Sequence, residues 1–139
     1  MQLRSAALFT LLCTVALPGC DKVKQCNSLI DTINSHTPKM TAATGKFAEI
    51  ATNPAVVEEY EAVVQGAIDE VKALELGDEK VSAFAKRYET LLGDAKTLGA
   101  ETKAATTDPA KFQAVSTKGN DIRKTEEALV AEVNTYCSS

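Results

Sequence analysis

From Asp21 onward the apolar residues recur at alternating steps of three and four, the spacing that places side chains on one face of an α-helix. No stretch alternates with the period of two that a half-buried strand requires. The first run sets Val23, Cys26, Ile30, Ile33, Met40, Phe47 and Ala51 on one seam, with Thr37 and Thr44 in the intervening positions. Pro38 lies inside it, and its ring removes a backbone donor and crowds the preceding turn. Because the seam keeps its phase across Pro38, the pattern predicts one kinked helix, with His36 and Thr37 at the kink. Asn53-Pro54 reads as an N-cap followed by a proline at the first helical position, where a missing donor costs nothing. The second seam runs through Val57, Tyr60, Val64, Ala67, Val71 and Leu74, and Gly77 is placed to end that helix in a left-handed turn.

Asp78 caps a third helix, whose seam is Val81, Phe84, Tyr88, Leu91, Ala95, Leu98, Thr102 and Ala105. Gly93 and Gly99 interrupt it at about 1 kcal/mol each relative to alanine, marking either close helix approach or local weakness. Thr107-Asp108-Pro109 repeats the cap-then-proline signal. A last seam follows through Phe112, Val115, Gly119, Ile122, Leu129, Val133 and Tyr136, with Glu126 at its edge. The predicted helices are about 22–52, 54–76, 79–106 and 109–137. Short turns make sequence neighbours antiparallel, so the fold class is all-α: an up-down-up-down four-helix bundle, with its first helix kinked at Pro38. At a rise of about 1.5 Å per residue this is a rod of about 40 Å.

The first twenty residues do not share this pattern. A basic start from Met1 to Arg4, an apolar run from Ala6 to Leu17 and a Gly19-Cys20 junction have the three-part polarity of an export signal. The apolar run is too short for a bilayer span of about 20 residues. Leu17-Pro18-Gly19-Cys20 resembles the lipobox of bacterial lipoproteins, with Pro18 at a position usually held by Ala, Ser, Thr or Val. The resemblance covers this segment alone. It implies a signal peptide over 1–19, a mature domain over 20–139, and lipidation of Cys20 by a diacylglyceryl group. Each buried methylene of such chains contributes about 0.8 kcal/mol, and two chains suffice for stable anchoring. The implied location is the cell membrane or outer membrane, lipid-anchored and facing the periplasm or exterior. Asp21 directly after the cysteine resembles the inner-membrane retention signal of enteric bacteria. Lys22 and Lys24, beside the anchor, read as solvated helix-surface residues.

An exported chain matures in an oxidising compartment. Cys13 leaves with the signal and Cys20 is acylated, so Cys26 and Cys137 remain as a pair. In the predicted bundle the start of the first helix and the end of the last share a pole, and these two cysteines fall there. A disulfide between them closes a loop of about 110 residues, for which chain entropy allows roughly 4 to 5 kcal/mol. Two unpaired buried cysteines, or an intermolecular bridge, are the alternatives.

Charge and chemistry narrow the function classes. The whole chain has a formal charge of −4, and loss of Arg4 with the signal leaves the mature part at −5. Without a basic stripe, a nucleic-acid partner is not expected. His36 is the single histidine; with Met40 it forms an i, i+4 pair, too few ligands for a metal and wrongly placed for two axial haem positions. It reads instead as a helix-surface or kink-capping residue. The acids Glu58, Glu59 and Glu61, and again Glu126, Glu127 and Glu132, read as solvated faces, since ferritin-like sites need two Glu-x-x-His pairs. A nucleophile would have no base beyond His36, and Gly45-Lys46 lacks the upstream glycine of a phosphate-binding loop. No catalytic residues, metal or cofactor are expected, and the chain does not read as an enzyme. Two classes remain: a lipid-anchored structural or protein-interaction module that docks an envelope protein, and a carrier of a small apolar ligand within the bundle. The threonine- and alanine-rich seams around Thr37, Thr44 and Thr102 leave room for the second.

Overall fold

A computed structural model describes residues 18–139; the expected export signal, but for its last two residues, and the side chain of Cys20 lie outside the described residues. The described residues form four helices, α1 (Pro18–Gly45), α2 (Ala55–Lys72), α3 (Glu79–Ala105) and α4 (Pro109–Cys137), with one 3-10 turn, Lys46–Glu49, after α1. Successive helices pack on one another, and polar pairs fix their directions. Arg87 and Glu132 join the first half of α3 to the second half of α4 by two hydrogen bonds of 2.7 and 2.9 Å. Lys103 near the end of α3 reaches Glu58 at the start of α2 at 2.6 Å. Lys46, just beyond α1, pairs with Glu59 of α2. Neighbours therefore run antiparallel, and the fold is the expected all-α four-helix arrangement. No helix among the described residues is long and apolar enough to cross a membrane.

Three local expectations are corrected. The first helix ends at Gly45, not near residue 52, and as expected it continues through Pro38 as a single helix. Gly45 weakens the helix locally, and the tighter turn that follows sets Phe47 edge-on to Tyr60, with ring centroids 5.1 Å apart. The second helix stops at Lys72, and Gly77 has no positive φ. Leu74 and Leu76 leave the helix to pack half-buried against the core, so the link reaches α3 extended and no left-handed residue is needed. Asn53 does not cap α2 with its side chain; its carbonyl accepts from Val56 N at 3.3 Å, and Pro54 holds the N-cap position. Asp78 and Asp108 do cap as predicted, each accepting two backbone N–H bonds through its carboxylate.

The seams of α2 and α3 lie inside as read, but that of α1 is rotated. Val23 is exposed, and the buried line is Cys26, Leu29, Ile33, His36 and Ala43. At the pole where α1 begins and α4 ends, Cys26 and Cys137 are bonded, with Cα atoms 5.7 Å apart. A polar clasp surrounds the bridge. Asp78 N donates to Gln25 Oε1 at 2.8 Å, the Tyr136 hydroxyl donates to Asp78 Oδ2 at 3.1 Å, and Lys22 lies over the Tyr136 ring. The Val81 N–H, then the Tyr136 hydroxyl, the Lys80 N–H and the Lys22 charge hold the Asp78 carboxyl below its ordinary range. We call this the bridged pole, and its opposite the distal pole.

The two glycines of α3 differ in kind. A Cβ on Gly99 would stand 2.9 Å from Tyr60 Cδ1, while one on Gly93 would meet nothing within 4 Å. The Tyr60 ring has Phe47 beside it as well, which restricts its retreat. Gly99→Ala is therefore expected to destabilise by about 1 to 2 kcal/mol, overpacking outweighing the better helix former. Gly93→Ala should stabilise by about 0.5 to 1 kcal/mol. Urea midpoints of the two variants, moving in opposite directions, check the assignment.

Candidate functional site: an open cleft at the distal pole

The helices are drawn together at the bridged pole and part at the other. The reason lies in side-chain size. Where the seams near the bridge carry Leu29, Phe84 and Leu129, the distal halves carry Thr44, Ala48, Ala95, Thr102 and Gly119. Such residues cannot fill the space between four helices, and α1 and α4 have no chain connection at that end to close it. The result is a cleft between the last turns of α1 with its 3-10 extension, the second half of α3 and the first half of α4. Its outer chamber is about 610 Å³, bounded by Phe47, Leu98, Phe112 and Val115. Its inner chamber is about 380 Å³ and reaches Met40, Tyr88, Leu91 and Ile122. Thr44, Tyr60, Ala95, Leu98 and Gly119 border both, so the two adjoin. The first half of α4 consequently has no fully buried residue, and Phe112 is 58 % exposed at the rim.

Two residues that carry polar groups, Tyr88 and Glu126, border the inner chamber. Tyr88 is 1 % exposed, yet its hydroxyl has no hydrogen-bond partner among the described residues. Burial raises its pKa strongly, with the Glu126 charge adding to the effect. Glu126 lines the same chamber and is half-buried. Burial, and secondarily the neighbouring Glu127, pushes its carboxyl upward. A folded-state pKa above the unfolded value of about 4.5 means that the protonated acid is favoured by the fold. Its contribution is fully present below that unfolded value and is lost as pH rises through the folded one. Glu126→Gln should thus stabilise the protein near neutrality, by no more than about 1 kcal/mol given the partial solvent screening. Below the unfolded pKa the two proteins should unfold together; a gain that persists in acid refutes the burial cause.

Four of the other acids singled out in the sequence behave as solvated faces with cationic partners: Glu58 with Lys103, Glu59 with Lys46, Glu127 with Arg123 and Glu132 with Arg87; Glu61 is half-buried. His36 is a correction. It is neither at the surface nor a cap, but 2 % exposed, with Nε2 2.9 Å from Glu70 Oε2 of α2 and Nδ1 without a partner among the described residues. Its place on the buried line arises from the rotation of α1, which turns the exposed Val23 outward. The structure does not bring His36 and Met40 to a common site: His36 is bonded to α2, and Met40 lines the cleft. Among the described residues no three His, Cys, Asp or Glu side chains converge as metal ligands. Cys26 and Cys137 form the bridge, and the side chain of Cys20 lies outside the described residues. Sequence reading passed over Tyr88 and Glu126 as seam residues; the available signal was a phenol and an acid on seams otherwise apolar. No family model matches the chain, and no curated protein or solved structure is similar enough to count as a relative.

Proposed function

We propose that the chain is a lipid-anchored cell-envelope lipoprotein whose helical bundle carries a small apolar ligand in the distal cleft. The supporting observation is the cleft itself: two adjoining chambers of about 610 and 380 Å³ with largely apolar walls, within the size range of small-molecule sites. The disulfide lies six residues after Cys20, so lipid on Cys20 would hold the bridged pole at the bilayer and leave the distal cleft away from it. The largest cleft wall on the α4 side is carried by a half-helix without buried residues, which suits reversible entry of a ligand. A structural or protein-interaction role, the other class, has one observation in its favour: Phe112 at the rim is a large exposed ring of the kind that anchors a partner helix.

Two measurements test this reading. Cys20→Ala should move the product out of the membrane fraction or arrest its processing, and unchanged acylation and retention would refute the anchor. Organic extraction of the protein taken from its own membranes, followed by mass spectrometry, should yield one apolar compound in near-stoichiometric amount. A ligand-free bundle that crosslinks in intact cells to a single envelope protein would replace the carrier by the interaction module.

A further inference from the structure

Among the residues that line the two chambers, one charge lacks a counter-ion. No charged side chain borders the outer chamber. At the inner one Arg123 is engaged with Glu127, one turn along the same helix. Glu126 lines that chamber half-buried, and neither a cation nor a hydrogen bond among the described residues offsets the burial of its carboxyl. Burial first, and the Glu126 charge second, raise the Tyr60 and Tyr88 hydroxyls, so the carboxylate lies toward the side of α4 where these two lining residues stand. Taking a carboxylate partly out of water without a partner is costly. The more exposed Glu58, Glu59, Glu127 and Glu132 each have a cation. A ligand can supply the one that Glu126 lacks. An anionic head would add a second negative charge, a hydrocarbon would strip water from the carboxylate and return nothing, and an alkanol would leave the charge unbalanced. An ammonium brings both the opposite charge and N–H donors to a group that only accepts. The apolar walls fit hydrocarbon in the rest of the molecule.

We infer that the inner chamber binds organic cations with an apolar body, a primary ammonium donating to the Glu126 carboxylate while the hydrocarbon part lies among Met40, Leu91, Leu98 and Ile122. This inference rests on the carrier reading and narrows its ligand to alkylamines and related cationic amphiphiles. Glu126 is then the specificity-determining residue of the cleft, and its uncompensated burial is relieved when the ligand is bound.

The test uses the full chain in the membranes that process it. Three photoreactive probes of equal length, each with a diazirine near the chain end, are compared at subsaturating amounts: an alkylammonium, an alkanol and an alkanoate. Labelling is scaled to each probe's own labelling of the lipid, which cancels its partition into the bilayer. The alkylammonium should label the lining stretches 91–98 of α3 and 119–126 of α4, and the other two should label them several-fold less. Glu126→Gln keeps the side chain's size and removes a charge that burial disfavours, so the fold is retained. Alkylammonium labelling should then fall about tenfold, the worth of one hydrogen bond to a charged group, and alkanol labelling should not fall. Equal labelling by alkylammonium and alkanol, or alkylammonium labelling indifferent to Glu126→Gln, overturns the counter-ion assignment and leaves the carrier reading standing. Absence of cleft labelling by all three probes overturns both.

Discussion

Loss of the Cys26–Cys137 bridge, by reduction or by the double substitution Cys26→Ala with Cys137→Ala, is expected to lower stability by about 3 to 4 kcal/mol. The crosslink spans 111 residues, nearly the whole described chain, so its opening releases the denatured ensemble from one very large loop. For a domain of this size the total margin is about 5 to 15 kcal/mol, and the reduced protein should therefore unfold at a clearly lower urea concentration. The effect is not confined to the unfolded chain. α1 and α4 face each other across the open side of the bundle, and the bridge is the covalent tie between them at the closed end. Amide hydrogen exchange in the reduced protein should accelerate first along the first half of α4, ahead of α2 and α3. A midpoint unchanged within error on reduction would show that packing alone holds the first and last helices together.

Leu129→Ala should cost nearly as much, about 3 to 4 kcal/mol. The residue is 0 % exposed, and it and Val133 are the two fully buried side chains of α4. With Cys137 they form an i, i+4, i+8 line, so the fully buried contacts of a helix of 29 residues lie in its last ten. A cavity at Leu129 cannot be filled from the distal side, where the helices already stand apart. Equilibrium urea unfolding measures the loss, and Phe112→Ala is the control: exposed at the rim, it should change stability by less than about 0.5 kcal/mol. The Leu129 and bridge effects share one docking element, so the triple variant should fall short of or exceed their sum; strict additivity would show the two contacts to be independent.

Much of this was legible in the pattern of residues. Helical period, the caps at Asp78 and Asp108, and short turns are local, and they sufficed for an antiparallel four-helix bundle with Cys26 and Cys137 at one pole. These follow because periodicity and capping act within one or two turns of chain, where the sequence itself lists all the partners. The orientation of α1 was not legible, since Val23 and His36 compete for the inside over a helix interrupted by threonines, and only Glu70 and the bridge at Cys26 decide between them. Nor was the meaning of Gly99 and Gly93, which depends on whether Tyr60 of another helix stands against the backbone. The cleft belongs to the same class of decision: small residues on four separate seams are compatible with a tighter bundle or with an opening. Which of the two arises depends on where the helices are fastened, and here the crosslink and Leu129 fasten them at the opposite end.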